Sequence, residues 1–300
     1  MPSPVACMLR EDMMNWKAFF TAALMGLAAA GLVPLQRASA DPLLERGRYL
    51  MEGIVACGNC HTPKAADGTP IADKELAGGF AIDAPIFHAV ASNITPDKET
   101  GIGNWTDAEI IDAIRNGKRP DGSIIGPPMP IAFYRGMSDS DVKAIVAYLR
   151  QVKPVSNKVE KSVYKIPLPE AYGPPVTSVA DVPHDDKVAY GAYLATGLGH
   201  CMDCHTPLVQ GRNDMTRLGA GGNEFGMPDG VVITSANLTP ANKNGIVGWT
   251  DVQLVTALKS GQRPNGSHIV PLMAFGWYKN INDADYAALV TFLRDLKPVE

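Results

Sequence analysis

Cys57-Gly58-Asn59-Cys60-His61 returns 144 residues later as Cys201-Met202-Asp203-Cys204-His205, and Gly47-Arg48-Tyr49-Leu50 ahead of it returns as Gly191-Ala192-Tyr193-Leu194. The register holds on either side of this stretch. Asn93-Ile94-Thr95-Pro96 meets Asn237-Leu238-Thr239-Pro240, Trp105-Thr106-Asp107 meets Trp249-Thr250-Asp251, Arg119-Pro120 meets Arg263-Pro264, Met129 meets Met273 and Lys153-Pro154-Val155 meets Lys297-Pro298-Val299. One unit has been duplicated. The reading divides the chain into 1–40, a first domain 41–155, a linker 156–183 and a second domain 184–300, each domain being of common size.

Helix signals also come in pairs. Asp41-Pro42 offers an N-cap followed by proline in the first helical position. Thr106-Asp107-Ala108-Glu109 and Thr250-Asp251-Val252-Gln253 have capping-box spacing, with Gly117 and Gly261 as stops. Ser138 and Asn282 are N-caps for a last helix in which Val142, Ile145, Val146 and Leu149 recur at helical spacing. The linker carries Pro167, Pro169, Pro174, Pro175 and Pro183, which deny it continuous helix and predict an extended strap. No strand ladder is legible, so three main helices and long loops around an internal ligand are expected in each unit.

Cys-x-x-Cys-His is the attachment signature of haem c: each thiol bonds a former vinyl group, and the adjacent histidine is placed to ligate iron. A disulfide, a thioredoxin-like redox pair and half a zinc site are the rivals. A thioredoxin pair wants βαβ elements, and a zinc site would have to join both units. Two motifs at equivalent places favour two covalent haems on Cys57, Cys60 and His61 and on Cys201, Cys204 and His205.

The opposite face of each iron needs a ligand. Met129, in Pro127-Pro128-Met129-Pro130, and Met273, in Pro271-Leu272-Met273-Ala274, lie on loops ahead of the last helix. Methionine is more often core filler. Of the methionines beyond residue 40, however, only these two coincide under the repeat, so His61 with Met129 and His205 with Met273 are the expected metal ligands. The remaining histidines, His88, His184, His200 and His268, are not duplicated. Trp105 with Trp249, Arg119 with Arg263 and Tyr134 with Tyr278 form a further tier that suits haem propionates or the pocket wall, against packing and solvated turns as the plain alternative.

Ala18 to Val33 is an apolar run after Lys17, followed by Ala38-Ser39-Ala40, which predicts a signal peptide over 1–40 cleaved before Asp41. Cys7 falls within it. No further apolar run of membrane-spanning length occurs. A net charge of −4 argues against nucleic acid as a partner.

Asn93-Ile94-Thr95-Pro96-Asp97, Thr100-Gly101-Ile102-Gly103, Trp105-Thr106-Asp107, Met129-Pro130 and Ala147-Tyr148-Leu149-Arg150 resemble the cytochrome c subunits of bacterial periplasmic alcohol, gluconate and aldehyde-type dehydrogenases. Many such subunits carry three haem motifs and a hydrophobic anchor, where this chain shows two motifs. The expected fold is all-α, two tandem class I-like cytochrome c domains, in a periplasmic chain that is soluble or held at a membrane only through a partner. The resemblance implies an electron-accepting subunit or shuttle that relays electrons from a dehydrogenase or other redox protein toward a downstream cytochrome, oxidase or quinone-linked complex. With histidine and methionine on each iron, outer-sphere single-electron transfer is the expected activity. A dihaem enzyme of peroxidase or thiosulfate dehydrogenase type, with a displaceable haem ligand, is the alternative.

Overall fold

The computed structural model describes residues 41–227, 230–240 and 245–299; the expected leader lies outside the described residues. In the first repeat α1 (Pro42–Glu52) starts where the Asp41 carboxylate accepts from Leu43 N–H at 3.0 Å, with Pro42 in the first helical position. α2 (Gly58–His61) is one turn carrying the first Cys-x-x-Cys-His. β1 (Ala81–Ala84) and β2 (Phe87–Val90) precede α3 (Asp107–Asn116), which opens on the Thr106/Glu109 capping box and stops at left-handed Gly117. α4 (Ile131–Tyr134) follows the Met129 loop, and α5 (Asp139–Gln151) is capped by Ser138. A two-residue strand β3 (Val163–Tyr164) lies in the linker.

The second repeat runs through α6 (Lys187–Tyr193), a widened turn at Leu194–Leu198, and α7 (Cys201–His205). It continues with β4 (Leu208–Val209), β5 (Arg212–Asn213), β6 (Glu224–Gly226) and β7 (Val232–Thr234). α8 (Asp251–Ser260), with the Thr250/Gln253 capping box, α9 (Phe275–Tyr278) and α10 (Asp283–Asp295), capped by Asn282, complete it.

The first and last helices of each repeat cross closely, α1 on α5 and α6 on α10. Glycine permits this: a Cβ at Gly47 would lie 2.0 Å from the Ala144 carbonyl oxygen, and one at Gly191 2.0 Å from that of Ala288. The helices therefore touch backbone to backbone, which sets where each motif starts after its first helix. Leu50, Ile54, Met137, Ile145, Leu194, Leu198 and Met202 are fully buried in one contiguous apolar cluster that runs through both repeats.

The all-α expectation is corrected by three small antiparallel sheets. β1 and β2 form a hairpin from Ala81↔Val90 to Ala84↔Phe87, β3 joins β2 through Phe87↔Tyr164, and β4–β5 and β6–β7 are further hairpins. These loops between motif and third helix are long, and their buried N–H and C=O groups need partners. Strands of two to four residues are too short to print a period of two in the sequence. Gln210 and Gly211, both at positive φ, make the β4–β5 turn, a backbone that fits the twist of a hairpin.

The segment 156–183 runs extended over the first repeat. The Tyr164 hydroxyl donates to Pro127 O at 3.0 Å and the Tyr172 hydroxyl to Ile125 O at 2.8 Å, so both hold the Met129 loop. Farther on, Val176 N–H donates to Asn116 Oδ1 at 2.9 Å, while the Ser178 hydroxyl and Val179 N–H donate to the Asp139 carboxylate at 2.7 and 3.1 Å. Among the described residues no helix is long and apolar enough to cross a membrane.

Candidate metal centres

Each motif begins from a strained residue. Ala56 and His200, equivalent under the repeat, have φ of 50° and 41°, a left-handed backbone that costs a non-glycine residue roughly 1–3 kcal/mol. The bend turns the chain out of its preceding segment and into the short helix that displays two cysteines and a histidine together.

The histidines are held alike. His61 Nδ1 lies 2.8 Å from Ser92 O, and His205 Nδ1 lies 2.8 Å from Ala236 O. A carbonyl only accepts, so Nδ1 carries the proton and Nε2 keeps its lone pair for a metal. Burial lowers both imidazole pKa values, which keeps the ring in the neutral, ligating form. The adjoining Thr62 and Thr206 are buried, and their hydroxyls accept from Leu76 N–H at 3.1 Å and Gly219 N–H at 3.3 Å, anchoring the loop that follows.

All four cysteines of the two motifs are free and half-buried. Burial pushes Cys57 up to about 12, Cys201 to about 11 and Cys204 to about 12, and raises Cys60. A thiol-disulfide redox pair needs a depressed thiol, so these surroundings do not suit one. Nor does any group of three or more His, Cys, Asp or Glu among the described residues form a metal cage. Paired unoxidised thiols beside an imidazole with free Nε2 are a donor set that fits a thioether-bound porphyrin iron.

Met129 and Met273 are half-buried on loops and pack against the apolar cluster that also receives Cys57, Cys201, Trp105 and Trp249. Three of the methionines without a repeat partner, Met51, Met137 and Met202, are buried core. Arg119 Nη1 donates to Ser123 Oγ at 3.3 Å and Ile124 O at 3.2 Å, and Arg263 Nη1 to Ser267 Oγ at 3.4 Å and His268 O at 2.6 Å. Both arginines thus close their own turns through Nη1. Trp105 and Trp249 are placed by Arg150 and Arg294, which donate to their carbonyls and to Asp107 and Asp251.

The two motifs approach one another. A Cβ at Gly58 would meet Trp277 Nε1 of the second repeat at 3.1 Å. The rings of Tyr134 and His200 meet edge to face at 5.7 Å, and a Cβ at Gly199 would lie 2.9 Å from Ile54 Cδ1 of the first repeat. Of the other histidines, His88 is half-buried with both ring nitrogens engaged, by Asp83 at 2.7 Å and Glu160 at 3.3 Å, and His184 stacks on Tyr190. Sequence reading missed the carbonyls of Ser92 and Ala236, which leave no side-chain signal. It also missed Trp277, whose repeat counterpart is Phe133.

Residues 44–153 match the family model described as cytochrome c. The chain is 32% identical to the fructose dehydrogenase cytochrome subunit of Gluconobacter japonicus, over 88% of this chain and 54% of that protein. It is 34% identical to the cytochrome c subunit of the quinone alcohol dehydrogenase of Gluconobacter oxydans, over 85% and 54%. A diheme cytochrome c-type protein of Cereibacter sphaeroides is 30% identical over 91% of this chain and 95% of its own length. The chain spans about half the length of the two dehydrogenase subunits.

Proposed function

This chain belongs to the cytochrome c family, and from that premise we propose that it carries two covalent haems c and passes single electrons between redox proteins. Cys57, Cys60, His61 and Met129 would hold one haem, and Cys201, Cys204, His205 and Met273 the other. The observation that carries the reading is the duplicated Nδ1 bond to a main-chain carbonyl, which leaves an Nε2 free beside two thiols in each repeat.

Haem, when bound, supplies one-electron chemistry at iron. The protein's part is to orient and insulate. The Ser92 and Ala236 carbonyls fix ring orientation and make Nε2 more basic, and the apolar cluster excludes water. With the Met129 or Met273 thioether as well as the imidazole bound, the iron would have a raised potential and would take up electrons by outer-sphere transfer. Arg119 and Arg263 keep Nε and Nη2 as donors for a propionate, and Trp105 and Trp249 wall the pockets.

The proposal extends to a division into 41–155, 156–183 and 184–300, a leader over 1–40, and a periplasmic location. A dehydrogenase is the electron donor, as the names of the relatives suggest, and a downstream cytochrome, oxidase or quinone-linked complex the acceptor. A reductive titration of the matured protein tests the activity. Two electrons per chain with low-spin spectra throughout are expected; carbon monoxide binding to native protein would reject saturated irons.

A further inference from the structure

Across the junction of the two repeats, each lends a tyrosine to the other's last helix. The Tyr49 hydroxyl accepts from Asn282 N–H at 3.2 Å and donates to Asp285 Oδ2 at 2.7 Å. The equivalent Tyr193 hydroxyl accepts from Ser138 N–H at 3.1 Å and donates to Asp141 Oδ2 at 2.7 Å. Asn282 and Ser138 are the N-caps of α10 and α5, and the two aspartates sit at their third positions. Each phenol thus bridges N-cap amide and carboxylate at a helix start belonging to the other repeat, the reciprocity expected of a two-fold junction.

Most of the groups that make these ties are shut away from water, Tyr49 being half-buried at the edge. Asp141, Asp285, Tyr190 and Tyr193 are buried. Arg46 holds Asp141 through Nε at 2.7 Å and Nη2 at 3.0 Å, while its repeat counterpart Tyr190 stands 3.5 Å from Asp285. Tyr49 lies on α1, a few residues ahead of Cys57, and the Met273 loop and α9 lead into α10. The same bond therefore ties the first motif's helix to the segment bearing the second repeat's loop, and its mate does the converse. Between the ties lie the contacts of Trp277 with Gly58, Tyr134 with His200 and Ile54 with Gly199.

We propose that Tyr49 with Asp285 and Tyr193 with Asp141 are positioning residues that hold the two Cys-x-x-Cys-His sites at the separation needed for direct electron exchange between them. The inference rests on the two-haem reading above. In the exchange one electron leaves one site and arrives at the other, no bond forms or breaks, and no proton moves. Hydrogen bonds between buried groups suit the task because they fix distance and direction together, which apolar contact alone does not.

The test uses the full-length, haem-loaded protein and its Tyr49→Phe, Tyr193→Phe and double variants, which keep ring volume and remove only the hydroxyls. Haem content, spectra and unfolding show whether each variant is loaded and folded. Hydrogen exchange at the Ser138 and Asn282 amides shows whether the junction has loosened. Flash photoreduction of one site then reads the exchange rate, and Soret circular dichroism reads the coupling between haems. In the double variant, with each site's own spectrum unchanged, exchange should slow by about tenfold or more, the scale on which small displacements cost positioned reactions. The coupled dichroism should weaken and the single variants fall between. An unchanged rate and couplet despite faster amide exchange would overturn the proposal. Wild-type protein holding fewer than two haems would instead defeat the reading beneath it.

Discussion

His61 and His205 owe their chemistry to atoms other than their own. With Nδ1 tied at 2.8 Å to Ser92 O or Ala236 O, tautomer and ring angle are set before any metal arrives. At the same scale Met129 and Met273 are the duplicated thioethers, both on loops whose geometry no helix dictates. Met129→Ala should abolish the methionine-to-iron absorption band of one haem and lower that haem's potential, and Met273→Ala should do the same for the other. Spectra and redox titrations of the two variants check this; an unchanged band in either would remove that residue from the ligand set. The two Cys-x-x-Cys-His motifs are legible in the sequence because haem attachment demands a fixed spacing. The carbonyls that orient the rings are not, since any residue supplies one, and neither is the left-handed turn at Ala56 and His200, where the sequence offers no glycine.

The elements that matter most are the paired crossings of α1 with α5 and of α6 with α10. Gly47→Ala would force a methyl group into the space of the Ala144 carbonyl, 2.0 Å away, so the helices must part. Overpacking of this kind costs about 1–3 kcal/mol. Denaturant unfolding should show a loss of that size, larger than for alanine at exposed Gly136, where the nearest contact is 3.4 Å. The helices, their caps and their stops were readable from Thr106, Ser138, Thr250 and Asn282, whose side chains now accept the bonds their positions predicted. The hairpins were not readable, because Ala81–Ala84 and Val232–Thr234 answer to backbone groups that need partners rather than to a pattern of apolar side chains.

Over the whole molecule the repeats differ in what covers them. The segment 156–183 lies across the first repeat, fastened to Asp139 by Ser178 and Val179. The Asp139 counterpart, Asp283, has a side chain 94% exposed and pairs with Lys259 at 3.0 Å, at the rim of a groove of about 730 Å³ between α8 and α10. The Ser178 hydroxyl first, then Val179 N–H and Arg115, hold the Asp139 carboxyl down to about 2. A carboxyl depressed in the folded state contributes stability that is complete above its unfolded value near about 4 and is lost as pH falls through the folded one. Amide exchange at Val179 should therefore rise between about pH 4 and pH 2. Asp139→Asn should remove that step and leave Val179 less protected at neutral pH.

The account stands on a prosthetic group in each repeat, and intact-mass measurement with peptide mapping of protein matured with its cytochrome assembly machinery tests this most directly. A mass gain of two haems is expected, one on the peptide holding Cys57 and Cys60 and one on that holding Cys201 and Cys204. A protein whose mapped cysteines carry one haem or none would contradict it.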